Sequence, residues 1–141
     1  MTEFNLGINV NSRLGLNKVY EGGHWGRRKD IVDEIHNIVW LELARQKIPK
    51  KCCEVPVCIE ILYNSRLDID NHGFLSKAIL DSLKGWLIVD DNRKYVRRLE
   101  QDFHSGDGVI VRTKDYEKDK ARRTKARRVK RWRLSNETSP Q

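Results

Sequence analysis

The eight residues Pro56–Tyr63, PVCIEILY, limit the fold more than any other stretch of the chain. They are β-branched and apolar with one carboxylate, Glu60, inside, and such a run predicts a central or near-central strand. Segments of helical period stand on either side of it. From Trp25 to Lys47 apolar residues recur at Ile31, Ile35, Ile38, Val39 and Leu43, which predicts an amphipathic helix that ends before Pro49. From Asp70 to Lys84 the residues Leu75, Ala78, Ile79, Ser82 and Leu83 share one face, and Gly85 supplies the stop. Phe4 to Val10 alternates apolar and polar and predicts a half-buried strand, followed by a long Gly- and Asn-rich loop over 11–26. Tyr95–Phe103 and Gly108–Thr113 predict two further strands, joined as a hairpin by His104-Ser105-Gly106-Asp107. The order β-α-β-α-β-β is that of an α+β fold, a small mixed β-sheet with two packed helices. It occupies residues 1–113 as one domain, with a basic tail at 114–141.

Charge is distributed unevenly. The chain carries a net charge of +8, yet residues 1–113 hold 17 Lys/Arg against 16 Asp/Glu, while residues 114–133 hold 11 against 3. The body is balanced and the tail carries the excess, which points to an anionic partner. The run RRTKARRVKRWR in that tail has almost no apolar period, so the tail is expected to be disordered alone or helical on an anionic surface. No run of 18 apolar residues and no secretory pattern at Met1–Val10 is present, so a soluble, cytoplasmic protein without a membrane partner is expected. Cys52, Cys53 and Cys58 have neither disulfide-framework nor zinc-knuckle spacing, and read as reduced packing thiols.

The stretch LDIDNHGFLSKAILDSLKGWLIVDDNRKYV, residues 67–96, holds the chemistry. Asp68 and Asp70 stand two apart before the second helix, so in extended chain both carboxylates face one side. Two like charges that close favour a divalent cation, and oxygen ligands select hard Mg²⁺ or Mn²⁺. Asp70, Lys77 and Asp81, separated by 7 and 4 residues, fall on one helical stripe. The same spacing also describes a solvated face with an i, i+4 salt bridge. The apolar run Trp86–Val89 leads to Asp90-Asp91, which a helix returning along a sheet brings back beside Asp70, although an acidic pair after a helix is commonly a turn. Asn71 is placed to cap the helix or to orient the carboxylates. The histidines His24, His36, His72 and His104 have no partners at metal spacing.

The pattern D-x-D-N at 68–71, Lys77, Asp81-x-Leu83, Asp90-Asp91 and Lys94-Tyr95-Val96 resembles the RusA family of Holliday junction resolvases, a phage and prophage type of crossover junction endonuclease. A weaker likeness lies in Leu16-Asn17 and His24-Trp25, and the resemblance covers roughly residues 4–113. It implies a homodimeric, Mg²⁺-dependent endodeoxyribonuclease that resolves four-way DNA junctions by paired nicks in recombination, repair or phage DNA processing. It also implies Asp68, Asp70 and Asp91 as metal ligands and catalytic residues, with Lys77 as the essential lysine. The family's lysine follows its second aspartate by four residues and here the gap is seven, a departure that still returns to the same helix face. The basic tail has no counterpart in the short family members.

Two basic groups are candidates for DNA contact: Arg27, Arg28 and Lys29 at the start of the first helix, and Arg122, Arg123, Lys125, Arg127, Arg128, Lys130 and Arg131 in the tail. Four-way and other branched DNA is the expected partner. A competing reading is a catalytically silent nucleic-acid-binding protein that grips through the tail. A third, an RNA-binding or ribosome-associated factor, calls for aromatic stacking platforms, and the strands near Tyr95 and Phe103 offer few.

Overall fold

The computed structural model describes residues 1–8, residue 10 and residues 25–137. Among these residues, four strands and three α-helices are defined: β1 (Thr2–Asn5), α1 (Trp25–Arg45), β2 (Val57–Tyr63), α2 (Gly73–Leu83), β3 (Val96–Phe103), β4 (Val109–Asp115) and α3 (Tyr116–Glu137). The fold is α+β, with a mixed sheet in the order β1-β4-β2-β3; β3 runs parallel to β2, while β4 is antiparallel to both β1 and β2.

The composition of β2 explains its central place. All its residues but Glu60 are buried, and their side chains alternate between two layers. Val57, Ile59, Ile61 and Tyr63 join Phe4, Leu6, Val109 and Val111 in the core against α1 and α2. Helix α1 contributes Ile31, Ile35, Val39 and Leu43, four residues at intervals of four, and α2 contributes Phe74, Leu75, Ala78, Ile79 and Leu83. Cys58, Glu60 and Leu62 face the opposite layer, where ion pairs replace apolar packing. There Arg112 bridges Glu3 (2.6 Å) and Glu60 (2.8 Å).

Three sequence expectations need correction, and a fourth falls mostly outside the described residues. The first strand ends at Asn5, because Gly7 takes a left-handed conformation (φ 64°) and its N–H donates to Asn5 Oδ1 at 2.8 Å, turning the chain out of the sheet. The expected loop over 11–26 lies outside the described residues up to 24, and Trp25 and Gly26 already belong to α1. The strands β3 and β4 do not form a hairpin: β2 is inserted between them, and the His104 N–H donates to the Tyr63 carbonyl (3.0 Å) as the chain crosses the end of β2. A strand buried on both faces takes the centre, so the two more polar strands pair with it and not with each other. Finally, the tail contributes a third helix, α3.

The second helix stops as expected. Gly85 adopts φ 82°, and the Leu87 and Ile88 N–H groups donate to the Leu83 carbonyl at 3.0 and 3.2 Å. All three cysteines are free thiols, with Cys58 buried. Among the described residues no helix is long and apolar enough to cross a membrane.

Candidate active site

Asp68 and Asp70 flank the start of a 3-10 turn, Ile69–His72, that feeds directly into α2. Asp68 is extended (φ −62°, ψ 152°) and precedes the turn, yet its side chain makes no capping hydrogen bond. Its backbone carbonyl is the busy group, accepting the Asn71 N–H at 3.0 Å and His72 Nδ1 at 2.9 Å. Asp68 and Asp70 are both exposed, and among the described residues no cation pairs with either carboxylate. The residue preceding α2 is His72 and not Asn71, so Asn71 does not cap it. Because Asp70 lies in the 3-10 turn, the stripe expected over Asp70, Lys77 and Asp81 holds only for its last two members.

Lys77 and Asp81 do meet. Lys77 Nζ lies 3.0 Å from Asp81 Oδ2, on the face of α2 away from Leu75 and Ile79. One turn on is a further cation, Lys84, which helical spacing alone does not single out. Lys84 Nζ lies 3.2 Å from Asp91 Oδ1, 3.4 Å from Asp81 Oδ1 and 3.7 Å from Asp90 Oδ1. Its spacing of three from Asp81 and seven from Lys77 was the available signal. Burial works against the Lys84 charge, but hydrogen bonds to Asp91 and Asp81 and their negative charge outweigh it, and its pKa is raised. Asp81 moves the other way: burial opposes ionisation, and the two lysines overcome it.

The apolar run after α2 positions this cluster. Leu87 and Ile88 are buried, the Cys53 N–H donates to the Leu87 carbonyl (2.8 Å), and Trp86 Nε1 donates to the Ile48 carbonyl (3.1 Å). Each buried side chain of this size contributes about 2 kcal/mol, more than the roughly 1 kcal/mol at which two surface carboxylates repel at 4 Å in water. The loop can thus hold Asp90 and Asp91 near Asp81. Asp90 then folds onto its own loop, accepting the Asp91 N–H (2.8 Å) and Asn92 Nδ2 (3.0 Å), while Asp91 turns to Lys84.

The expectation that Asp90-Asp91 returns beside Asp70 is not met within one chain. His72 packs on Tyr63 and Phe103, at the carboxyl ends of β2 and β3, whereas the loop before β3 joins the opposite end, where the Val57 N–H donates to the Tyr95 carbonyl. The parallel pairing of β2 with β3 imposes this. An 11-residue α2 spans about 16 Å at 1.5 Å per residue, and that separates the two acidic groups. Among the described residues no group of three or more His, Cys, Asp or Glu side chains is placed to hold a metal ion.

Helix α3 has two parts. Its first turns are anchored: the Asp119 carboxylate, 3% exposed, accepts hydrogen bonds from Arg98 (2.9 Å) and Arg122 (2.9 Å) and forms an ion pair with Arg123 (2.7 Å), and Arg123 also pairs with Glu100 at 2.6 Å. From Thr124 to Glu137 every residue is exposed. Of the expected DNA contacts, Arg122 and Arg123 pair with Asp119, Arg122 from an exposed position and Arg123 half-buried, while Lys125, Arg127, Arg128, Lys130 and Arg131 stand on the open rod, joined by Arg133. At the start of α1, Arg27 and Lys29 are exposed and Arg28 is half-buried.

No family model matches the chain, and no curated protein matches it.

Proposed function

We propose that the protein is a Mg²⁺-dependent, structure-specific endodeoxyribonuclease that nicks four-way DNA junctions, as its resemblance to the RusA family implies. The observation that carries this reading is the pair Asp68 and Asp70: two exposed carboxylates, without a cation partner among the described residues, in a chain of net charge +8. Mg²⁺ is commonly held by one or two carboxylates together with substrate phosphate and water, and this pair fits that chemistry. A bound Mg²⁺ would polarise the phosphate and activate water.

Within this reading Asp68 and Asp70 hold the ion and Lys77 neutralises charge on the phosphate oxygens. The distance from Asp91 has a consequence for the assembly. If Asp91 shares that ion, it comes from a second copy of the chain. A two-fold homodimer then sets Asp68 and Asp70 of one copy against Asp91 of the other and builds two sites by symmetry, the number that paired nicking requires. Lys125, Arg127, Arg128, Lys130 and Arg131, with Arg27, Arg28 and Lys29, supply backbone contacts without sequence preference.

The exposed cations of α3 also favour a second reading, a catalytically silent nucleic-acid-binding protein. The two readings separate in a nicking assay on four-way and linear duplex DNA. The nuclease nicks the junction only with Mg²⁺ and loses this in Asp70→Asn while still binding; a binding protein retains the junction with or without the ion and leaves it intact.

A further inference from the structure

His72 is fully buried, yet one of its ring nitrogens has no hydrogen-bond partner among the described residues. The imidazole stacks on Tyr63 with ring centroids 4.1 Å apart and planes at 22°, and Phe103 meets it edge-on at 5.7 Å. Nδ1 faces two carbonyl oxygens, Asp68 at 2.9 Å and Ile69 at 3.3 Å. Carbonyls only accept, so Nδ1 carries the proton and the lone pair of Nε2 is the buried, unsatisfied group. A phenyl ring would fill the same aromatic slot with no polar atom to desolvate. The site tolerates an unfavourable buried acceptor, and what it retains in exchange is the Nδ1–H bond to the Asp68 backbone.

That bond acts on the two exposed carboxylates. The Asp68 carbonyl accepts from His72 and from the Asn71 N–H (3.0 Å), and two donors on one oxygen fix the orientation of the peptide plane that joins Asp68 to Ile69. The side chains of Asp68 and Asp70 extend from the backbone on either side of it. We infer that His72 is a positioning residue, whose Nδ1–H holds Asp68 and Asp70 in the geometry that binds a divalent cation. This inference rests on reading Asp68 and Asp70 as ion ligands.

Side-chain isosteres test it, with Mn²⁺ as the probe. Asn places an N–H donor where His places Nδ1, while Phe keeps the stack and removes the donor. His72→Phe is expected to melt at or above the wild-type temperature in EDTA, yet to bind Mn²⁺ about 10–100-fold more weakly in calorimetry, the usual loss when a group supporting metal ligands is removed. His72→Asn is expected to bind Mn²⁺ close to wild type even if it melts lower. In ¹⁵N spectra of the wild-type imidazole, Nδ1 is expected to carry a proton. Unchanged Mn²⁺ affinity in His72→Phe, a lower melting temperature for that variant, or an Nδ1 without a proton overturns the role of His72 and leaves the nuclease reading standing. A wild-type protein that neither binds Mn²⁺ nor nicks junctions in Mg²⁺ overturns both.

Discussion

Lys84 Nζ lies 3.2 Å from Asp91 Oδ1, and this ion pair ties the loop after α2 to the helix it has just left. The same ammonium reaches Asp81 and Asp90, so one cation offsets three carboxylates. With Lys84→Met the side chain keeps its length and loses its charge, and Asp81, Asp90 and Asp91 repel without a mediator. The expected loss is about 1 kcal/mol in urea unfolding, larger at low salt, since the groups are about one-third exposed. A double-mutant cycle with Asp91→Asn should show a coupling of about 0.5–1 kcal/mol; additive effects would place the lysine elsewhere in solution.

Lys77 differs from Lys84 in reach. Its side chain is 74% exposed and, among the described residues, forms an ion pair only with Asp81. An exposed i, i+4 pair contributes little, so Lys77→Ala should change stability by less than about 0.5 kcal/mol. On the nuclease reading the same variant should nick junctions about 100-fold more slowly, the scale expected for removing one charge stabiliser from a transition state. Rates within a few-fold of wild type would assign Lys77 to the helix surface alone.

The anchor of α3 is sensitive to acid. Burial opposes ionisation of Asp119, but the Arg122 hydrogen bond and the charges of Arg123, Arg122 and Lys114 outweigh it and lower its pKa below the ordinary aspartate range. A carboxylate with a lowered folded pKa stabilises fully above its unfolded value, about 3.9, and loses that contribution as pH falls through the folded value. The melting temperature should therefore decline below about pH 4, and Asp119→Asn should flatten that decline. At neutral pH this variant should lose about 2 kcal/mol, between the limits for exposed and buried pairs because its arginines still touch water. An acid profile identical to wild type would show that the anchor is not formed.

Beyond Arg123, like charges three and four residues apart repel along α3, and a polyanion relieves that repulsion. Deleting 124–141 removes Lys125, Arg127, Arg128, Lys130, Arg131 and Arg133 and spares the Asp119 anchor. The salt dependence of duplex DNA binding should flatten by about 0.9 in log–log slope for each phosphate that the shortened chain no longer neutralises. An unchanged slope would remove α3 from the DNA interface.

The elements were legible in the sequence where a periodic apolar face meets a stop signal. Ile31, Ile35, Val39 and Leu43 marked α1, and Gly85 marked the end of α2. Pairing was less legible. The turn at His104–Asp107 has hairpin composition, but the apolar faces of β2 draw both following strands to itself, a non-local preference that no short window contains. At the site, the spacing of Asp68 and Asp70 predicts two carboxylates on one side of an extended chain, and the return of Asp90-Asp91 expected beside Asp70 is instead made to the far end of α2, at Asp81 and Lys84. The end of α2 to which they return depends on the parallel pairing of β2 and β3, which sequence spacing does not encode. The roles of Lys84 and His72 are not legible in the sequence for related reasons: one is an ordinary surface lysine until the loop closes on it, the other an isolated histidine until Tyr63 and Phe103 enclose it.

The most direct measurement mixes two inactive proteins. Asp70→Asn and Asp91→Asn are each expected to bind a four-way junction and fail to nick it in Mg²⁺. When the two are co-refolded, half of the dimers pair one subunit of each kind, and each such dimer contains one site with both Asp70 and Asp91 intact. A site shared between copies therefore recovers nicking to about one-quarter of wild type, from random assortment in a two-fold dimer. No recovery from the mixture, with wild-type protein active in Mg²⁺, would contradict the shared site, and a wild-type protein that leaves the junction uncut in Mg²⁺ would contradict the nuclease reading itself.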